Sequence, residues 1–198
     1  VIRDGVAYKC SNNECGARIK ESLYHFVSRR AFDIRGLGTK IIDRFLDVGL
    51  IIDAADIFTL KEGDVASLPH FGEKSAENIV REVSKKKKIA LNRFIYSLGI
   101  LHIGEETARL LAEKYIEASP SRMDAQPQYI LEYFKKLTLD DLQKTSDIGP
   151  VVAKSVFDYF RDIRHEDLIK KFDKIGIKIN MTGVWPKNQK LSGKIFVF

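Results

Sequence analysis

Four stretches decide how this chain reads: Ile34-Arg35-Gly36-Leu37-Gly38, Leu68-Pro69-His70-Phe71-Gly72, Ile100-Leu101-His102-Ile103-Gly104 and Thr145-Ser146-Asp147-Ile148-Gly149. Their closing glycines are spaced 34, 32 and 45 residues apart. Four residues beyond each closing glycine stands a small or apolar residue: Ile42, Ala76, Ala108 and Ala153. Self-similarity with a period of roughly 20–50 residues marks repeated copies of one supersecondary unit.

The pattern suits a tight turn between two helices. Leu37, Phe71, Ile103 and Ile148 are placed to plug the core between them, while the flanking positions are expected to turn at positive φ, which favours glycine. Where the first glycine is missing the chain has His70, His102 and Asp147, and these residue types tolerate the left-handed region better than most. The unit is a helix-hairpin-helix turn. Free N–H groups at the start of its second helix, aided by the helix dipole, suit a phosphate, and the glycine lets a sugar-phosphate backbone come close. The candidate contacts are Arg35, Gly36, Gly38, Thr39 and Lys40 in the first copy, and His70, Gly72, Lys74 and Ser75 in the second. His102, Gly104 and Arg109 follow in the third, Gly149 and Lys154 in the fourth. Such contacts ignore base identity. The competing reading is a plain helical bundle with glycine caps, and four related copies weigh against it.

Working outward, helical periodicity continues through Ile79, Val80 and Val83, through Ala108, Leu111 and Ala112, through Val152, Val156 and Phe160, and through Leu168, Ile169 and Phe172. The first of these helices is expected to end in the lysine run 85–88, which is a candidate phosphate contact or a solvated complement to the helix dipole. Little strand signal appears between residues 30 and 180. Ser119-Pro120-Ser121 and Gln126-Pro127-Gln128 mark the longest interval between turns as the place for a loop insertion. Phe94, Tyr96, Phe157 and Tyr159 read as helix-core residues. Arg29 and Arg30 join Arg35 beside the first turn as further cations that could face a phosphate. The 198 residues carry 33 Lys and Arg against 27 Asp and Glu, a net charge of +6, which favours a polyanionic partner. No apolar run approaches the roughly 20 residues of a membrane helix, and no secretion signal opens the chain.

Val6-Ala7-Tyr8-Lys9 reads as a short strand leading to Cys10 and Cys15, with a helix expected from Gly16 to about Arg30. Two cysteines cannot form a disulfide scaffold. Their C-x4-C spacing is half of a zinc site, which needs four ligands when closed; the bland alternative is two exposed thiols. At the other end residues 183–190 read as a linker, where Trp185 is a packing anchor, and Ile195-Phe196-Val197-Phe198 has a buried-strand pattern with nothing after it to pair with. The chain therefore reads as a segment of a longer protein.

The run from Cys10 to Cys15, then residues 23–38, Gly72-Glu73-Lys74-Ser75-Ala76, Gly104-Glu105-Glu106-Thr107-Ala108 and residues 148–153, resembles the C-terminal part of bacterial NAD-dependent DNA ligases. The resemblance covers essentially the whole chain. It implies a mainly α fold: residues 1–24 as the second half of a four-cysteine zinc module, residues 25–183 as a four-motif helix-hairpin-helix domain, and residues 184–198 as a linker and the first strand of a BRCT domain. By the same resemblance the other two zinc ligands precede Val1, so that Cys10 and Cys15 hold half a site here. The expected partners are double-stranded, nicked DNA and the remaining ligase domains, in the cytoplasm at the nucleoid. In that family NAD and magnesium serve the adenylation chemistry at a Lys-x-Asp-Gly motif. This chain has no such motif, Lys61-Glu62-Gly63-Asp64 having the wrong order, so neither cofactor nor ligase activity is expected of the segment alone.

Two other classes share parts of this pattern. A helix-hairpin-helix glycosylase would place a catalytic Asp after its hairpin, and Asp167 follows Gly149 by 18 residues. It sits, however, on the polar face of a charged helix, and such enzymes do not carry four hairpins. A non-catalytic adaptor of a repair or recombination complex would share paired hairpins, but lacks the leading cysteine pair and the trailing Leu191-Ser192-Gly193-Lys194 strand.

Overall fold

The computed structural model describes residues 2–4, 7–10, 12, 15–119 and 124–181. The expected linker, Trp185 and the terminal strand lie outside them. β1 (Ile2–Asp4) pairs antiparallel with β2 (Ala7–Lys9), and α1 (Gly16–Val27) follows. Next come α2 (Thr39–Asp47), a short 3-10 turn (Asp56–Thr59), α3 (Glu62–Ala66), α4 (Glu73–Lys85), β3 (Lys88–Ala90), α5 (Leu91–Ser97) and α6 (Glu105–Ala118). The rest comprises β4 (Asp124–Ala125), α7 (Pro127–Lys136), α8 (Leu139–Gln143), α9 (Pro150–Tyr159), α10 (Ile163–Ile175) and β5 (Lys178–Asn180).

The expected mainly α architecture with four hairpins is what the chain forms. The hairpins are α1/α2, α3/α4, α5/α6 and α8/α9, and each pair packs on itself. Two aromatic clusters hold them together. Phe26 stacks on Phe172 of α10 at 5.5 Å and on Phe32 at 4.4 Å, with Phe58 and Phe94 edge-on around them. Farther along the chain, Phe134 of α7 stacks on Phe160 at 4.7 Å, while Tyr133 meets Tyr115 of α6 edge-on at 5.0 Å. Burying large aromatic surfaces of this kind is the main favourable contribution to such a fold. Phe94 and Tyr159 are core residues as expected; Tyr96 and Phe157 are only half-buried.

Four local readings need correction. The helix expected to reach Arg30 stops at Val27, and residues 28–33 form a loop whose Phe32 is in the core. The boundary expected after residue 24 falls inside α1, whose Leu23, Phe26 and Val27 are buried. The interval expected to hold a loop insertion contains a helix, α7, with Pro127 in its first turn, a position where the missing proline N–H costs nothing. A small sheet was not foreseen: β5 pairs parallel with β3 and antiparallel with β4. Its strands are two or three residues long, too short for a period-2 pattern to show, and they pair across distant sequence.

Candidate nucleic-acid interface

The four turns share one backbone geometry. In each, the N–H of the central hydrophobic residue donates to the carbonyl three positions back: Leu37 to Ile34 at 3.4 Å, Phe71 to Leu68 at 3.1 Å, Ile103 to Ile100 at 3.1 Å and Ile148 to Thr145 at 3.2 Å. The residue before it is left-handed, with φ of 90° at Gly36, 73° at His70, 66° at His102 and 63° at Asp147. His70 and His102 therefore stand in for glycine. Leu37, Ile103 and Ile148 are buried and Phe71 half-buried against Phe45 of α2, 5.7 Å between ring centroids.

The closing glycines behave differently from expectation. Gly38, Gly72, Gly104 and Gly149 are N-caps in extended conformation, with φ between −75° and −104°, which any residue adopts. A Cβ built on any of them meets nothing within 4 Å. Each glycine carbonyl accepts the first helical bond, from Ile42, Ala76, Ala108 and Ala153, at 2.9–3.0 Å, and none of the four offers a side-chain cap to the free amides behind it. So the fold itself does not demand glycine there. What the missing side chain leaves is a bare, exposed helix start. Ile41 and Ser75 already donate to the glycine carbonyls and Pro150 has no N–H, but the amides of Thr39, Lys40, Glu73, Lys74, Glu105, Glu106 and Val151 have no partner among the described residues, the arrangement an anion fills.

The flanking cations divide. Arg35, Thr39, Lys40, Lys74 and Ser75 are exposed, and neither Lys40 nor Lys74 has an ion-pair partner among the described residues. Lys154 pairs with Asp158 at 2.8 Å. Arg109 is gripped by the Glu106 carboxylate, both oxygens 3.1 Å from its Nε, and by Glu113. The spacing of Glu106, Arg109 and Glu113, three and four residues along one helix, is a local signal for this pairing, missed in the sequence reading. Acidic residues also open α6, where Glu105 and Glu106 are its first two residues. Exposed apolar side chains stand at Leu101 in the third turn and Val151 just past the fourth.

The lysine run does not form one solvated helix end. Lys85 pairs with Glu82, Lys86 with Asp33, and Lys87 donates to the Ile175 carbonyl, while Lys88 begins β3. Arg30 pairs with Glu105 at 2.9 Å; Arg29 is exposed. Asp167 is an exposed residue of α10, 3.6 Å from Lys170.

Cys10 is exposed and Cys15, the N-cap of α1, half-buried. The N–H of Arg18, the thiol of Cys10 and the N–H of Ala17 hold the Cys15 thiol below the ordinary thiol range. That bias is toward thiolate, the form a metal binds. No group of three or more His, Cys, Asp or Glu side chains gathers among the described residues. His25 is engaged elsewhere, its Nε2 2.7 Å from the Tyr96 carbonyl. Two thiols are half of the four ligands that a closed zinc site needs. No helix among the described residues is long and apolar enough to cross a membrane.

Residues 28–85, spanning the first two turns, match the family described as a SAM-like helix-hairpin-helix tandem. The third and fourth turns lie beyond that match and repeat its geometry. A DNA ligase of Coxiella burnetii is 38% identical over 188 residues, 92% of this chain and 25% of the relative. A DNA ligase of Thermosipho africanus is 34% identical over 197 residues, 100% of this chain and 28% of the relative. This chain is homologous to DNA ligases. A Legionella pneumophila DNA ligase adds 38% identity over 177 residues, 89% of the chain. The chain spans about a quarter of the length of these DNA ligases, and the region they share contains all four turns.

Proposed function

We propose that this chain is the DNA-clamping segment of an NAD-dependent DNA ligase, gripping duplex DNA around a nick through its backbone phosphates across the minor groove. The observation that carries the reading is the set of four closing glycines, each exposed, each in ordinary backbone geometry and each with open space where a Cβ would stand. Glycine is a mildly favoured N-cap, but no contact or backbone conformation within the chain demands it at all four, whereas a sugar-phosphate backbone approaching the helix starts does. Gly38, Gly72, Gly104 and Gly149 admit the backbone; the free amides behind them, which begin at Val151 in the fourth turn because Pro150 has none, donate to phosphate oxygens; Arg35, Lys40 and Lys74 supply free positive charge. These contacts carry no sequence information, so binding is indifferent to sequence.

In the full-length enzyme NAD supplies the adenylyl group that activates the 5′ phosphate, and magnesium serves the same chemistry. This segment lacks the lysine motif for it; Lys61 is the N-cap of α3. Cys10 and Cys15 would hold two corners of a structural zinc, with two further ligands supplied from outside this chain. The role of the segment is to hold both sides of the nick while the other ligase domains act, during replication and repair in the cytoplasm.

Fluorescence anisotropy with a labelled nicked duplex, an intact duplex and a single strand, between about 50 and 200 mM salt, tests this. Sequence-independent duplex binding with a steep salt slope and a preference for the nick is expected. Absence of duplex binding at low salt, with zinc present, would overturn it.

A further inference from the structure

Hairpin 1 differs from the other three. Between the first helix and its turn the chain passes over one residue in hairpins 2 and 4 and two in hairpin 3, but over six, residues 28–33, in hairpin 1. The insertion is held in place from within. Ala31 is 0% and Phe32 2% exposed. The Ser28 carbonyl accepts from the N–H groups of Ala31 and Asp33, and Asp33 is left-handed at φ 52°.

It is also held from outside, by hairpin 3. Arg93 of α5 donates from Nη2 to the Arg29 carbonyl at 2.7 Å and from Nε to the Arg30 carbonyl at 3.3 Å. Arg30 in turn pairs with Glu105, the first residue of α6, directly behind the third closing glycine. The His25 ring packs on Tyr96 of α5, 4.6 Å between centroids. A planar guanidinium spanning two successive carbonyls is a rigid attachment that an ammonium cannot reproduce.

From this juxtaposition we infer that Arg93 is a positioning residue, gripping the 28–33 loop so that turn 1 and turn 3 are held at one fixed separation and meet the duplex together. The inference rests on the duplex-binding reading. Two turns held in register lose little freedom on binding, whereas two turns on a loose joint must be ordered at the expense of affinity. Arg93 itself touches the loop, not the DNA.

That distinction gives the test. Arg93→Ala and Arg93→Lys are compared with the wild-type chain by circular dichroism, by duplex affinity and by the slope of affinity against salt. Arg93→Ala is expected to keep its helical spectrum, to lose about tenfold in affinity, and to keep the wild-type slope, because a residue that contacts no phosphate releases no counterion. Arg93→Lys, which keeps the charge but cannot span both carbonyls, falls between. A slope reduced by about one would make Arg93 a phosphate contact and overturn the inference. Wild-type affinity in Arg93→Lys and in folded Arg93→Ala would overturn it too. Should Arg93→Ala fail to fold, Arg93→Lys decides alone. A wild-type chain that binds no duplex overturns the proposed function and this inference together, whereas idle Arg93 variants leave the function standing.

Discussion

The carboxylate of Asp33 lies 2.9 Å from the ammonium of Lys86, tying the approach to the first turn to the end of α4. Asp33 is also one of four non-glycine residues with positive φ among the described residues, and the other three sit inside the turns. The ion pair therefore anchors a backbone conformation that an L residue adopts at some cost.

The Lys86 ammonium beside it holds the Asp33 carboxyl below the usual carboxylate range. A depressed folded-state value means that the pair stabilises the fold above the unfolded carboxyl's titration, and that this contribution disappears as pH falls through the folded value. Lys86→Met is expected to cost about 1 kcal/mol near neutral pH and markedly less once the carboxyl is protonated. Chemical denaturation at neutral pH and at about pH 3 measures the difference; an equal cost at both would refute the role of the charge.

Replacing Gly72 or Gly104 by Val tests the open helix starts. With nothing within 4 Å of either added Cβ, helical content should survive, at a capping cost of about 1 kcal/mol. Duplex affinity should fall about tenfold or more, since each tenfold is only about 1.4 kcal/mol and the side chain would stand between the amides and the phosphate. Anisotropy beside circular dichroism separates the two effects.

Lys74 follows its closing glycine by two residues and Arg109 follows its own by five, and the two should respond differently. Lys74 is unpaired, so Lys74→Ala should reduce the salt slope by about one and weaken binding equally for every sequence. Arg109 is already neutralised by Glu106 and Glu113, so Arg109→Ala should leave the slope nearly unchanged and lower the melting temperature instead, leaving the half-buried Glu113 without its guanidinium. A slope lost equally in both variants would contradict this division.

His165 stacks on Tyr159 with ring centroids 3.8 Å apart, and burial holds its imidazole below the ordinary histidine range. The folded state then resists protonation that the unfolded chain accepts. Stability should rise with pH through the folded value and level off above about 6.5, the unfolded value. His165→Gln should flatten the profile across that window. A profile unchanged by the substitution would assign the pH dependence to other groups.

The turns were legible because their logic is local. A left-handed position is satisfied by Gly36, His70, His102 or Asp147 whatever surrounds it, and the hydrophobic plug and the small residue four places past the glycine follow from helix periodicity. The Glu106–Arg109–Glu113 pairing carries a signal of the same local kind, spacing along one helix, although Arg109 reads from its turn as a phosphate contact. The fate of the lysine run was not, because Lys86 meets Asp33 only after α4 has packed beside the first hairpin. Nor were β3, β4 and β5, whose short strands pair across distant sequence.

The repeated turns, their left-handed substitutions and the helices they join were determined by the sequence itself, since each depends on φ preferences and spacing within a few residues. The tertiary structure decided which cations remain free, that residues 28–33 bridge two hairpins through Arg93, and that the closing glycines face open space. Those properties depend on which surfaces come together, and hydrogen bonds and ion pairs between distant segments exist only once the core around Phe26 and Phe172 has brought them there.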